Sequence, residues 1–188
     1  FSTVFGTPIA GAIFGVEVLF VGSLMYDVLL PSFVAGIIGF QVSSALGVSY
    51  FHESVDFIPF FTPVYFIRVC IAGVFFGVCA LVFIEVLHLF EWLKKRLAWS
   101  DVPTALLGGT TLAALAWLFS ERYLGLGLET IRATLEGGMT PLAASPLKML
   151  FTAVTLTFGG SGGIVTPIFF IGATAGNAYA ALAGLNPA

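Results

Sequence analysis

Charge is what this sequence has least of. Its 188 residues include 7 Lys plus Arg and 10 Asp plus Glu, 9% charged in all, where an average soluble domain has about 25%. Against that scarcity stand 59% AVILMFWYC residues and a mean hydropathy of +1.05. A soluble domain cannot hide so much apolar surface and still coat itself with polar groups. A soluble enzyme and a disordered chain are therefore excluded. With acids outnumbering bases, a nucleic-acid module is excluded too. Cysteine is nearly absent: Cys70 and Cys79 lie in one apolar stretch and read as two buried thiols, not a disulfide or metal pair. There is no starting Met, and Phe1-Ser2-Thr3 carries no basic n-region. The chain reads as an internal fragment of a longer membrane protein, with no cofactor implied by its residues.

What is present is a series of apolar runs, to be measured against the roughly 20 residues that cross about 30 Å of hydrocarbon. The first spans 7–22, with Pro8 suited to a first helical turn and one interior charge, Glu17. The second spans 28–47, entered through Pro31. The polar segment 49–59, with His52, Glu53 and Asp56, reads as a solvated interhelix loop, its alternative being a metal site. A third run, 63–97, is capped by Thr62 with Pro63 at its first position. Its length of roughly 52 Å exceeds a perpendicular span, which strong tilt absorbs. It closes on Lys94, Lys95 and Arg96, placing the loop near Trp99 on the cytoplasmic side. A fourth segment starts at Pro103 and reaches about Phe119. Then come a short amphipathic piece, 126–136, a segment 146–158 too short to cross, and a final apolar helix, 164–182. Glu85 and His88 read as an exposed polar helical face, and Arg68 as a snorkelling side chain. The expected class is all-α and integral to the membrane.

Between the last two segments lies Gly159-Gly160-Ser161-Gly162-Gly163. Such residues leave backbone N–H groups unshielded, and the following helix brings orphan donors and a partial positive charge. Broken helices inside a membrane are tolerated where backbone lines a protein-buried or watery cavity. This predicts an anion site built from dipoles, with no Lys or Arg close in sequence and with the Thr166 hydroxyl as an added donor. Its alternative is a glycine hinge between packed helices.

Gly163-Ile164-Val165-Thr166-Pro167 resembles the Gly-x-Phe-x-Pro motif of CLC chloride channels and transporters. The stretch from Pro8-Ile9-Ala10-Gly11 to Glu17 is similar to that family's Pro-Leu-Ala-Gly segment ending in an acid, and Tyr123-Leu124-Gly125-Leu126-Gly127 is a third, weaker match. The resemblance implies a bundle of tilted and partial helices in two inverted halves, incomplete here: one transmembrane domain, with 1–50 ending the first half and 60–188 beginning the second. It implies homodimers in a lipid bilayer, here the plasma (inner) membrane of a prokaryote, with one anion pathway per subunit. The 7–22 and 28–47 helices would contribute to the dimer interface. The anion site falls on Gly163, Ile164, Val165 and Thr166, with the N–H groups of Ile164 and Val165 on the ion. Glu17 becomes a structural acid, and Val18 occupies the place of the acid that proton-coupled members carry.

The departures bear on the ion. The usual Phe is Val165, and a Val-Thr pair is similar to the fluoride-exporting branch, whereas the Gly-Ser-Gly-Gly lead-in is closer to chloride members. Val18 argues against standard chloride–proton exchange. Chloride transport of unspecified coupling therefore stands first and fluoride–proton exchange second. A third reading, an intramembrane serine protease using Ser161, needs a histidine base, and the two histidines, His52 and His88, both precede that serine.

Overall fold

The computed structural model describes residues 1–19, 26–48, 62–97 and 100–184, and its described regular structure is helical throughout. The chain divides into two compact units, Phe1–Val55 and Asp56–Ala188. The first holds α1 (Ser2–Phe5), α2 (Pro8–Leu19) and α3 (Tyr26–Ala45). Pro8 takes the first position of α2, where its missing N–H removes only a donor that lacks an intrahelical partner. Pro31 does not open α3: the helix starts at Tyr26 and carries Asp27 in its first turn, so the proline lies inside. There it removes the bond that its N–H would make to the Asp27 carbonyl, a loss that a first-turn proline does not incur. Glycines let α2 and α3 approach closely. A Cβ on Gly36 would come within 2.8 Å of the Pro8 carbonyl oxygen, and one on Gly11 would strike the Ser2 hydroxyl. Small residues at a contact are how helices gain packing where lipid tails are as apolar as side chains. Ala12 and Val16, one turn apart, form the buried stripe of α2.

The second unit holds α4 (Pro63–Leu97), α5 (Asp101–Leu118), a 3-10 turn (Glu121–Tyr123), α6 (Leu128–Leu135), α7 (Ala144–Thr157) and α8 (Val165–Leu182). Thr62 caps α4 as its sequence predicts, the hydroxyl accepting from the Tyr65 N–H at 3.2 Å. Only 6% of the apolar window of α4 is buried, against 39% for α8, so α4 presents its side chains outward. Together with α3 these are the helices long and apolar enough to cross a membrane among the described residues. Cys70 is accordingly exposed and Cys79 half-buried, both free, which corrects the expectation of two buried thiols. In a bilayer, apolarity marks contact with lipid as readily as contact with protein. Glu85, His88 and Arg68 are exposed. His52, Glu53, Asp56 and Trp99 lie outside the described residues.

The core of this unit is built on α7, the 14-residue helix too short to span. Phe151, Ala153 and Val154 are enclosed. Phe151 and Ala144 pack with Tyr123 and with Phe170 of α8, and Met149 packs with Phe83 of α4 and Ile171 of α8. Buried polar groups on the α7–α8 seam satisfy one another: the Ser145 and Thr174 hydroxyls share a 2.7 Å hydrogen bond. Asn177 donates to the Gly138 carbonyl at 3.0 Å and accepts from the Thr140 N–H at 3.3 Å.

Candidate functional site

The glycine run between α7 and α8 performs two separate tasks. Its first two residues end α7. Phe158 is the C-cap, Gly159 follows with φ +94°, and the Gly160 N–H returns to the Thr155 carbonyl at 2.8 Å. This is a Schellman closure, which needs a left-handed residue just past the helix. A Cβ on Gly160 would also lie 2.7 Å from that same carbonyl oxygen. Only Ser161, Gly162 and Gly163 then remain as a link, all exposed. The run is therefore not the single unshielded stretch that its composition suggests, because the Gly160 amide is spent on the cap.

The start of α8 is arranged differently. Ile164 is its N-cap and contributes no side-chain capping bond, while its carbonyl accepts from the Ile168 N–H at 3.1 Å. An apolar N-cap leaves the first-turn donors without the partner that Ser, Asp or Asn supplies. Pro167, buried at the third helical position, has no N–H, so the donors at this end are those of Ile164, Val165 and Thr166. Gly163 and Ile164 are exposed, and Val165 and Thr166 are half-buried. A Cβ on Gly163 would meet nothing within 4 Å. Three consecutive amides and one hydroxyl thus stand at the positive end of an 18-residue helix, with space before them.

Glu17 and Val18 stand exposed on α2, in the first unit. Ser161 makes no hydrogen bond to a histidine among the described residues, and the described histidine, His88, is exposed on α4. Among the described residues no three His, Cys, Asp or Glu side chains cluster as metal ligands would.

A further residue stands out in this unit. Lys148 is a single cation in the apolar run of α7, and it is 1% exposed. Its ammonium donates to the carbonyls of Tyr123 at 3.0 Å and Gly125 at 2.7 Å. The isolated lysine is itself the signal: a cation enclosed in an otherwise apolar helix must find acceptors inside.

The family model for voltage gated chloride channels matches residues 1–188, the whole chain. The chain is 38% identical over 192 residues to a protein of Pseudomonas syringae pv. tomato described as a chloride/fluoride channel protein, a match taking in 97% of this chain and 42% of that relative. It is also similar to a crystal structure of a CLC-type fluoride/proton antiporter, at 30% identity and a TM-score of 0.85, covering 97% of this chain and 47% of that one. The chain therefore spans a little under half the length of each.

Proposed function

Because this chain belongs to the voltage gated chloride channel family, whose CLC-type fold it shares, we propose that it forms part of a transmembrane pathway for small inorganic anions, with the ion held at the start of α8. The observation that carries this reading is the uncapped first turn: among the described residues no side chain accepts from the amides of Ile164, Val165 and Thr166, and Thr166 adds a hydroxyl. Dipoles attract an anion without trapping it as a full charge would, which is what conduction requires. Gly163 leaves the approach open. The separation of compact units between Val55 and Asp56 supports reading 1–50 as the end of one inverted half and 60–188 as the beginning of the next. In the complete protein the pathway belongs to a homodimer of multi-pass subunits in a prokaryotic plasma membrane, and Glu17 is a structural acid on α2.

Two ions fit this site, each favoured by a specific feature. The Gly160-Ser161-Gly162-Gly163 lead-in favours chloride. Val165-Thr166 favours fluoride, as does the name of one relative, a fluoride/proton antiporter, while the other, a chloride/fluoride channel protein, names both ions. Fluoride is the smaller and more strongly hydrated ion, so it gains more from a close hydroxyl donor. The test uses the full-length protein in liposomes loaded with KF or KCl, with efflux triggered by a potassium ionophore and internal pH recorded. Fluoride efflux coupled to proton uptake makes the fluoride reading correct. Chloride efflux without a pH change makes the chloride reading correct, with Val18 as the explanation, and no flux of either overturns both. Thr166→Val removes the hydroxyl at nearly constant shape. A hydrogen bond to a charged group contributes about 1.5–3 kcal/mol; only the part by which fluoride gains more than chloride alters the ratio, so fluoride preference should fall by about threefold or more. Unchanged ratios in this variant would count against the site.

A further inference from the structure

Lys148 is among the largest fully enclosed side chains of the described residues. Its three partners are all uncharged: the Tyr123 carbonyl, the Gly125 carbonyl, and the face of the Phe170 ring, whose centroid lies 5.0 Å from the ammonium. The one salt bridge among the described residues is the exposed pair Arg132–Glu136, so no described carboxylate neutralises this lysine. An ammonium carries three protons, and here two carbonyls and an aromatic face receive them. A buried cation that is costly to desolvate is thus kept for what it joins.

It joins two elements. One is the turn 123–127, whose glycines Gly125 and Gly127 have φ +58° and +69°. The other is α8, through Phe170. The turn also presses on that ring directly: a Cβ on Gly127 would lie 2.5 Å from Phe170 Cδ2 and 2.8 Å from Cε2. Phe170 is 0% exposed and stands edge-on to the Tyr123 ring at 6.1 Å. It follows Thr166 by four residues, about one helical turn. Ammonium, turn and ring therefore form one packed unit that grips α8 a turn below its free amides.

We propose that Lys148 is a positioning residue for the anion site: by holding the 123–127 turn against Phe170 it sets the rotation of α8, and so the direction in which the amides of Ile164, Val165 and Thr166 point. This rests on the reading of the α8 N-terminus as the anion site. A methionine of similar length would leave two enclosed carbonyls without donors and free the ring to shift.

The experiment measures the fluoride-to-chloride efflux ratio and the apparent KM for each anion in liposomes, per amount of folded full-length protein. Lys148→Met should change the ratio at least about fivefold and raise KM. Lys148→Arg, which keeps charge and donors, should stay within about twofold of the original. Gly127→Ala keeps the lysine but drives a methyl into Phe170, and should shift the ratio in the same direction as Lys148→Met. Wild-type ratios in both Lys148→Met and Gly127→Ala overturn the proposal. A shift in Lys148→Met with none in Gly127→Ala also overturns it, because the charge would then act at a distance. If either variant fails to fold, Phe170→Leu takes its place and is judged by the same rule. Thr166→Val separates the two readings: no shift there removes the anion site itself, whereas a shift there with none at Lys148 and Gly127 removes only the positioning role.

Discussion

Replacing Gly159 with valine is expected to lower anion transport about tenfold or more while leaving the full-length protein in the membrane. Gly159 has φ +94°, a backbone region that a β-branched residue enters only at a cost of about 1–3 kcal/mol. The chain relieves that cost by abandoning the left-handed turn. The Gly160 N–H then loses the Thr155 carbonyl, and α7 no longer ends where it does. Only three residues separate that cap from Ile164, so the link has little slack to absorb the change, and the first turn of α8 is redirected. Asparagine tolerates the left-handed region better than other side chains. Gly159→Asn should therefore retain most of the transport that Gly159→Val loses. The measurement is the initial rate of anion efflux from liposomes for both variants at matched protein content. Equal rates in the valine variant and the parent would mean that the end of α7 does not direct α8.

Much of this architecture was legible because membrane helices announce themselves by length and punctuation. Thr62-Pro63 marked the start of α4, and Lys94, Lys95 and Arg96 marked its end. The shortness of α7 and the glycine run after it marked a break. What stayed hidden depended on tertiary contact. Pro31 looked like an entrance, but a helix start is a statement about preceding hydrogen bonds, and these begin at Tyr26. Cys70 lies in a strongly apolar run yet is exposed, because hydropathy does not say which side chains another element of the chain covers. Within the site, the residues at the start of α8 were visible as a motif. The division of labour in the glycine run was not, since Gly159 and Gly160 differ from Gly162 and Gly163 only in their dihedrals and neighbours. Lys148 was the hardest to read. The meaning of a lone lysine depends on where its acceptors lie, and these are 23 and 25 residues away in sequence.

The neighbouring glycines Gly108 and Gly109 of α5 offer the sharpest test of packing, because helix propensity predicts the same outcome for both and space predicts opposite ones. Alanine is about 1 kcal/mol better than glycine inside a helix. At Gly109 a Cβ would meet nothing within 4 Å, so Gly109→Ala should be neutral or modestly stabilising. Gly108 is buried against α7, and there the added Cβ would collide with the Cβ of Phe158. A backbone-anchored atom cannot swing away as the end of a long side chain can. Phe158 is also restrained on another side, its ring standing edge-on to Phe90 of α4 at 6.3 Å. Relief therefore requires α5 and α7 to separate, and overpacking of this kind costs about 1–3 kcal/mol, more than the propensity gain returns. Gly108→Ala should lower the thermal midpoint of the purified protein in detergent, and Gly108→Val should lower it further. Because Phe158 is the residue before Gly159, the displaced end of α7 should carry a loss of anion transport with it, whereas Gly109→Ala should leave transport unchanged. A Gly108→Ala variant as stable and as active as Gly109→Ala would show that α5 does not fix the end of α7.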